Sequence, residues 1–213
     1  ENMPYFRSGF FNLGGQNLYV SRTGFTNELG FEIYSDGFKT DHLALWDHLM
    51  VCGKPFGMEF SAARAMTLRR IEGGIFGNLT DIDSTINPFE AGLGFFVNMD
   101  KENFVGRDAL MNKDKRTCLF GLKCKTETPV SKSKVIDGDK IVGHITAGVH
   151  SPTLDIGIGY VRFYEPKDWP GRQLFLKLPN GDTHKADIVT LPFFDPEKKI
   201  VKGIDRTIPN KTK

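Results

Sequence analysis

A single carboxylate in the run Gly30-Phe31-Glu32-Ile33-Tyr34 is the residue best placed, by type and neighbours, to do chemistry. Alternation along a strand puts Phe31 and Ile33 on one face and Glu32 on the other, with Tyr34 on the side of Glu32. Such a carboxylate can lie on a solvated strand face. It can instead face a cavity and accept two N–H bonds from a planar heterocycle. An aminopyrimidine edge offers adjacent donors, and a charge-assisted bidentate pair is the strong way to hold them. Tyr34 could stack or hydrogen-bond beside such a ligand. Arg22 precedes the turn Thr23-Gly24-Phe25-Thr26-Asn27-Glu28-Leu29 and could brace it by pairing with a carboxylate; Arg64, taken alone, is a surface guanidinium. Asp81 and Asp83 flank Ile82 in a loop-like stretch and read as turn or capping residues rather than an acid–base pair.

Other chemistries find no footing. His42, His48, His144, His150 and His184 share no metal-type spacing with one another or with Cys52, Cys118 and Cys124. No metal site, nucleophile–base pair or catalytic residue is assigned. Three cysteines without CxxC spacing indicate a reducing compartment, hence a cytoplasmic setting. The 28 basic and 26 acidic side chains leave a net charge of +2, too small a field to argue for nucleic acid or an anionic membrane as partner. No apolar run approaches the roughly 20 residues that span a bilayer, and the start lacks a basic-then-apolar signal layout.

The elements that must position Glu32 follow from periodicity. Residues 16–22 and 30–34 alternate as strands, 38–51 repeat at helical spacing behind Asp36 or Thr40 as caps, and 60–72 hold strong helix formers. Residues 92–99 have strand character, and 104–110 start a short helix that ends in the charged patch 113–116. Beyond it, short runs at 117–124, 133–137, 140–147, 156–163, 172–178 and 183–190 alternate with turn signals, as in an antiparallel barrel or sandwich. Asn180-Gly181 marks a two-residue hairpin turn. The lysine-rich stretch from Lys198 to Lys213 reads as a solvated terminus.

Five segments, in order, carry a family resemblance: Val20 to Tyr34; Arg70-Ile71-Glu72-Gly73-Gly74; Asp81-Ile82-Asp83 with Asn87-Pro88-Phe89-Glu90-Ala91-Gly92-Leu93; Phe104-Val105-Gly106-Arg107-Asp108-Ala109-Leu110; and Gly148 to Leu154 with Ile158-Gly159-Tyr160-Val161. Together they resemble the C-terminal part of the glycine-cleavage T-protein (aminomethyltransferase) family. The resemblance implies an α+β fold: a partial folate-binding α/β body at 1–110 followed by a C-terminal antiparallel β-barrel at 111–213. It implies a tetrahydrofolate-dependent transfer of a one-carbon unit from an aminomethyl or methylamine donor, with Glu32 on the pterin and Tyr34 and Arg22 beside it. The family places its catalytic Asp upstream of anything in this chain.

Two positions depart from the pattern. Asn27 stands where the family usually has Gly, which Asn can replace because it tolerates positive φ. The Arg that contacts the folate tail in the family aligns with Met66, while Ala63-Arg64-Ala65-Met66 is similar to sarcosine and dimethylglycine dehydrogenases. Asn87-Pro88-Phe89-Glu90 and the run Arg69-Arg70-Ile71-Glu72-Gly73-Gly74 lean towards a demethylase acting on dimethylsulfoniopropionate or a methylated glycine, and a folate-binding module without turnover is a further alternative. The start at Glu1 and the hydrophobic Met3-Pro4-Tyr5-Phe6 suggest a chain entered in mid-domain. Alone it is expected to be inactive, with a second copy of the chain covering the apolar face left open.

Overall fold

The structure is a computed structural model and describes residues 3–207. The chain forms two compact units, Glu1–Arg69 with Asp195–Lys213, and Arg70–Phe194. This division does not follow the 110/111 boundary. Residues 70–111 cluster with the barrel strands, because Ile71 and Phe76 pack with Leu119, Ile158 and Tyr160.

In the first unit, β1 (Ser8–Leu13), β2 (Gln16–Ser21) and β3 (Glu32–Tyr34) form an antiparallel sheet in that order. Strand β1 lies outside the strands expected from periodicity. Its sequence, with Gly9 and the adjacent Phe10 and Phe11, blurs the period of two, although Gly14-Gly15 is a legible hairpin signal. Both glycines have positive φ, +60° and +85°, as a two-residue turn with matching twist requires. Helix α1 (His42–Gly53) starts later than expected, because its cap is Asp41, whose Oδ1 accepts from Ala44 N at 2.9 Å. Asp36 instead closes a separate turn by accepting from Phe38 N and Lys39 N. Helix α2 (Ala63–Glu72) matches the second expected helix. The stretch from Lys198 is not a solvated terminus: Asp195 accepts from Lys199 N and Ile200 N, both at 2.9 Å, and Val201 is buried. Lys211 and Lys213 lie outside the described residues.

The second unit contains α3 (Arg107–Met111) and six strands: β4 (Leu119–Cys124), β5 (Lys134–Asp137), β6 (Lys140–Ser151), β7 (Ile156–Phe163), β8 (Gln173–Lys177) and β9 (Thr183–Val189). They close an antiparallel barrel in the order β4-β7-β6-β5-β8-β9, so the fold is α+β. Its interior is filled by Leu122, Val135, Ile145, Val161, Leu176 and Ile188, with Trp169 stacked on Phe163 at 4.0 Å between ring centres. Two expectations need correction. Residues 92–99 contain a 3₁₀ turn at Gly94–Phe96 rather than a strand, since Gly92 adopts φ +73° and Gly94 lies so close to the Phe89 ring that a Cβ would meet it at 2.7 Å. The β8–β9 hairpin holds no helix, but its turn is Leu178-Pro179-Asn180-Gly181, closed by Gly181 N donating to Leu178 O at 3.0 Å. Only Gly181 has positive φ, so this is a turn with Pro179 at its second position rather than a two-residue Asn-Gly turn.

Strand β7 is covered on both faces, Val161 and Phe163 inside and Ile158 and Tyr160 outside. The Tyr160 hydroxyl lies 2.9, 3.1 and 3.2 Å from the carbonyls of Arg70, Ile71 and Ile75, and burial pushes its pKa well above the usual range. Tyr160→Phe removes this donor and should cost about 1–3 kcal/mol of stability. Urea unfolding of the variant measures the loss; an unchanged midpoint would show that the hydroxyl is dispensable.

Candidate functional site

Glu32 owes its direction to register. β2 and β3 pair Tyr19 with Tyr34, Val20 with Ile33 and Ser21 with Glu32. Glu32 therefore shares a face with Ser21, Tyr19 and Tyr34, while Ile33 joins Val20 and Phe11 on the other. Glu32 Oε2 accepts from Thr23 Oγ1 and from Tyr34 Oη, the latter at 3.3 Å. Ser21 Oγ lies 3.0 Å from Thr23 Oγ1. Among the described residues nothing donates to Glu32 Oε1. A carboxylate has about four lone-pair sites, so one oxygen stays wholly open to a ligand.

Aromatic rings continue this face. Tyr19 lies 5.9 Å from Tyr34 and 5.2 Å from Phe10, edge-on in each case, and its hydroxyl is 2.6 Å from Ser8 Oγ. All three rings are exposed. The opposite face borders an apolar cavity of about 400 Å³ lined by Phe11, Leu13, Val20, Ile33 and Leu49. Glu32 is thus turned away from the apolar cavity, toward hydroxyls and tyrosine rings.

Arg22 is placed differently. It is buried, with Nη1 donating to Met3 O at 2.7 Å and Nη2 to Val201 O at 3.1 Å. It braces through backbone carbonyls, not through the expected carboxylate pairing, and its Nε is buried without a partner. The turn after it holds Asn27 at φ +60°, as its tolerance of that region allows, and Lys198 Nζ donates to Asn27 Oδ1 at 2.7 Å. Burial lowers the Lys198 pKa. Glu28 pairs with Arg69. Arg64 is exposed in the first turn of α2.

Asp81 and Asp83, in the second unit, are separated in role. Asp81 is buried and accepts from Arg70 Nη1 at 2.6 Å, Thr146 Oγ1 at 2.6 Å and Gly77 N at 2.8 Å. It closes a turn, as expected, but its buried ion pair has no sequence signal. Asp83 is exposed and caps Thr85, whose hydroxyl and amide, aided by Arg162, lower its pKa. Sequence reasoning missed Thr23 and Tyr19 beside Glu32; the strand register, once known, points to both. Among the described residues no group of His, Cys, Asp and Glu could hold a metal ion, and no helix is long and apolar enough to cross a membrane.

An α+β chain with a small antiparallel sheet and a closed six-stranded barrel is the architecture that comparisons with known proteins match. Residues 1–101 match the GCVT N-terminal domain and residues 115–195 the glycine cleavage T-protein C-terminal barrel domain. The chain belongs to the glycine-cleavage T-protein family. It is 37% identical over 188 residues to an aminomethyltransferase of Alkaliphilus oremlandii, covering 85% of this chain and 50% of that protein. It is 31% identical to a probable aminomethyltransferase of Pyrococcus abyssi, covering 93% of this chain and 56% of that protein. The crystal structure of the glycine cleavage system aminomethyltransferase T from Bartonella henselae superposes with a TM-score of 0.72 at 26% identity, over 84% of this chain and 50% of that one. The chain spans about half the length of the relatives it matches.

The buried Arg22 generates a testable consequence. Arg22→Met keeps much of the volume but leaves the Met3 and Val201 carbonyls without their charged donor. Stability should fall by about 1.5–3 kcal/mol, and amides of residues 199–204 should exchange faster with deuterium. Unchanged protection there would show that Arg22 does not hold this segment.

Proposed function

We propose that this chain supplies the pterin-recognition part of a tetrahydrofolate-dependent aminomethyltransferase, which moves a one-carbon unit from an aminomethyl or methylamine donor to tetrahydrofolate. The observation that carries the reading is Glu32: a half-buried carboxylate, oriented through Oε2 by Thr23 and Tyr34, with Oε1 open. An aminopyrimidine edge presents adjacent N–H donors that suit such an acceptor, and the Tyr34 and Tyr19 rings offer flat walls beside it. Arg22 acts by positioning, holding the turn that carries Thr23. Tetrahydrofolate, when bound, supplies the nitrogen that accepts the one-carbon unit. The residues of this chain hold and orient it, and proximity of donor and acceptor supplies most of the rate. The three cysteines are free thiols, which supports the cytoplasmic setting.

Two outcomes test the proposal. In the full-length protein, Glu32→Gln keeps the shape and removes the charge, so tetrahydrofolate should bind about 1.5–3 kcal/mol more weakly by calorimetric titration. Unaltered affinity overturns the role of Glu32. The 213-residue chain exposes Leu43, Trp46, Phe56 and Phe60, with the Trp46 and Phe60 rings 5.7 Å apart, an apolar surface suited to a second copy. It should give no tetrahydrofolate-dependent one-carbon release from any aminomethyl or methylamine donor, from a methylated glycine or from dimethylsulfoniopropionate, and should elute as a dimer or larger. Turnover by a monomer contradicts this.

A further inference from the structure

The outward face of β4, β9 and β8 carries ammonium groups that the barrel does not neutralise. Lys123 on β4, Lys125 just beyond it and Lys185 on β9 line a cavity of about 420 Å³ together with Thr126, Thr183 and His184. Among the described residues none of these three lysines forms a salt bridge. One carboxylate, Asp187, also borders the cavity, opposite Lys123 in the β4–β9 register. Its Oδ1 already accepts from Gln173 Nε2 at 3.1 Å, and two positive charges remain in excess. Further along the same face Lys134 and Lys177 sit directly opposite each other on β5 and β8, a like-charge pairing that weakens a sheet. Lysines on an outer strand are ordinary when each is free in solvent. Here Lys123 is half-buried, and Lys125 and Lys185, though exposed, border the same concavity, where three ammonium groups face one carboxylate and their fields add.

His184 adds an independent observation. Its Nδ1 lies 3.0 Å from Thr126 Oγ1, while its Nε2 is enclosed without a hydrogen-bond partner. A buried polar atom ordinarily has one. A small turn of the ring toward a ligand in the cavity that it borders would provide it.

We propose that this cavity is a binding site for a small molecule bearing at least two anionic groups, phosphate or carboxylate. The ammonium groups of Lys123, Lys125 and Lys185 supply charge, and the hydroxyls of Thr126 and Thr183 donate to the remaining oxygens. Lysine, a point charge on a flexible stem, suits a polyanion of either chemistry better than a planar fork would. The site belongs to the barrel and does not depend on the reading of Glu32.

Calorimetric titration of the 213-residue chain with pyrophosphate and with citrate, at low ionic strength and with acetate as the monovalent control, tests it. At least one of the two polyanions should bind with one-to-one stoichiometry, and the tighter one identifies the site as phosphate- or carboxylate-directed. The double variant Lys123→Gln, Lys185→Gln should bind roughly tenfold more weakly or worse, while Lys167→Gln, elsewhere on the barrel, should bind as the parent does. In the unaltered protein, amide resonances of Thr126, Thr183 and His184 should shift with the polyanion, so the outcome does not hang on the variants folding. Absence of binding by both polyanions, equal binding of acetate, or undiminished binding by a folded double variant overturns the proposal.

Discussion

Two charges buried within one helical turn, Arg70 and Glu72, set the terms for the second unit. A buried charge is tolerated only when paired and hydrogen-bonded, because desolvation otherwise costs several kcal/mol. Arg70 meets Asp81 at 2.6 Å, and Asp81 in turn draws Thr146 of β6 and the amide of Gly77. Glu72 accepts from the hydroxyls of Ser151 and Thr153. The end of α2, the loop after it and the last residue of β6 are thereby held together, with Tyr160 of β7 donating into the same turn. This arrangement keeps β7 covered on its outer face.

In the first unit the corresponding constraint is register. A slip of one residue between β2 and β3 would carry Glu32 into the apolar surroundings of Val20 and Phe11 and would push Ile33 into water. Burying Ile33 and Val20 therefore aims the carboxylate as a by-product of hydrophobic pairing. Thr23, two residues beyond Ser21, refines that aim, and the buried Arg22 between them explains why the chain turns there. The guanidinium is a structural cation: its two terminal nitrogens donate to the backbone at Met3 and Val201 and tie those segments together.

How far the sequence reveals this depends on the range of the interactions concerned. The alternation that orients Glu32, Ile33 and Tyr34 is local and legible, as are the six barrel strands. Helix α1 is legible except for its start, since Asp36, Thr40 and Asp41 are all fit caps and only geometry selects among them. The strand expected at 92–99 fails because a period of two cannot register Gly92 in the left-handed region or the Phe89 ring against Gly94. Lys198 and Val201 read as part of a solvated end, because their partners Asn27 and Arg22 lie far away in the chain, at separations of 171 and 179 residues. No composition rule carries that information. The same limit hides the Arg70–Asp81 pair and the cavity between Lys123 and Lys185.

The five segments that carry the family resemblance do not bear equally on function. Gly148 and Gly159 are required by sterics: a Cβ on the first would meet Pro129 O at 2.1 Å, and on the second Ala147 O at 2.8 Å. Ser151 serves Glu72 and Arg70 serves Asp81, while Asn87 accepts from Phe89 N and Glu90 N to close its turn. Gly106 takes φ +89° ahead of α3. Each of these is explained by packing, capping or backbone conformation and would be needed by any protein with this fold, whatever its substrate. The segment from Val20 to Tyr34 is different. Thr23, Glu32 and Tyr34 bury little apolar surface and stabilise little by their mutual hydrogen bonds at a half-exposed site, and tyrosine rings left facing solvent beside an open carboxylate oxygen contribute nothing to a core. Folding alone does not account for them, which sets that one segment apart as the part of the chain shaped by a ligand.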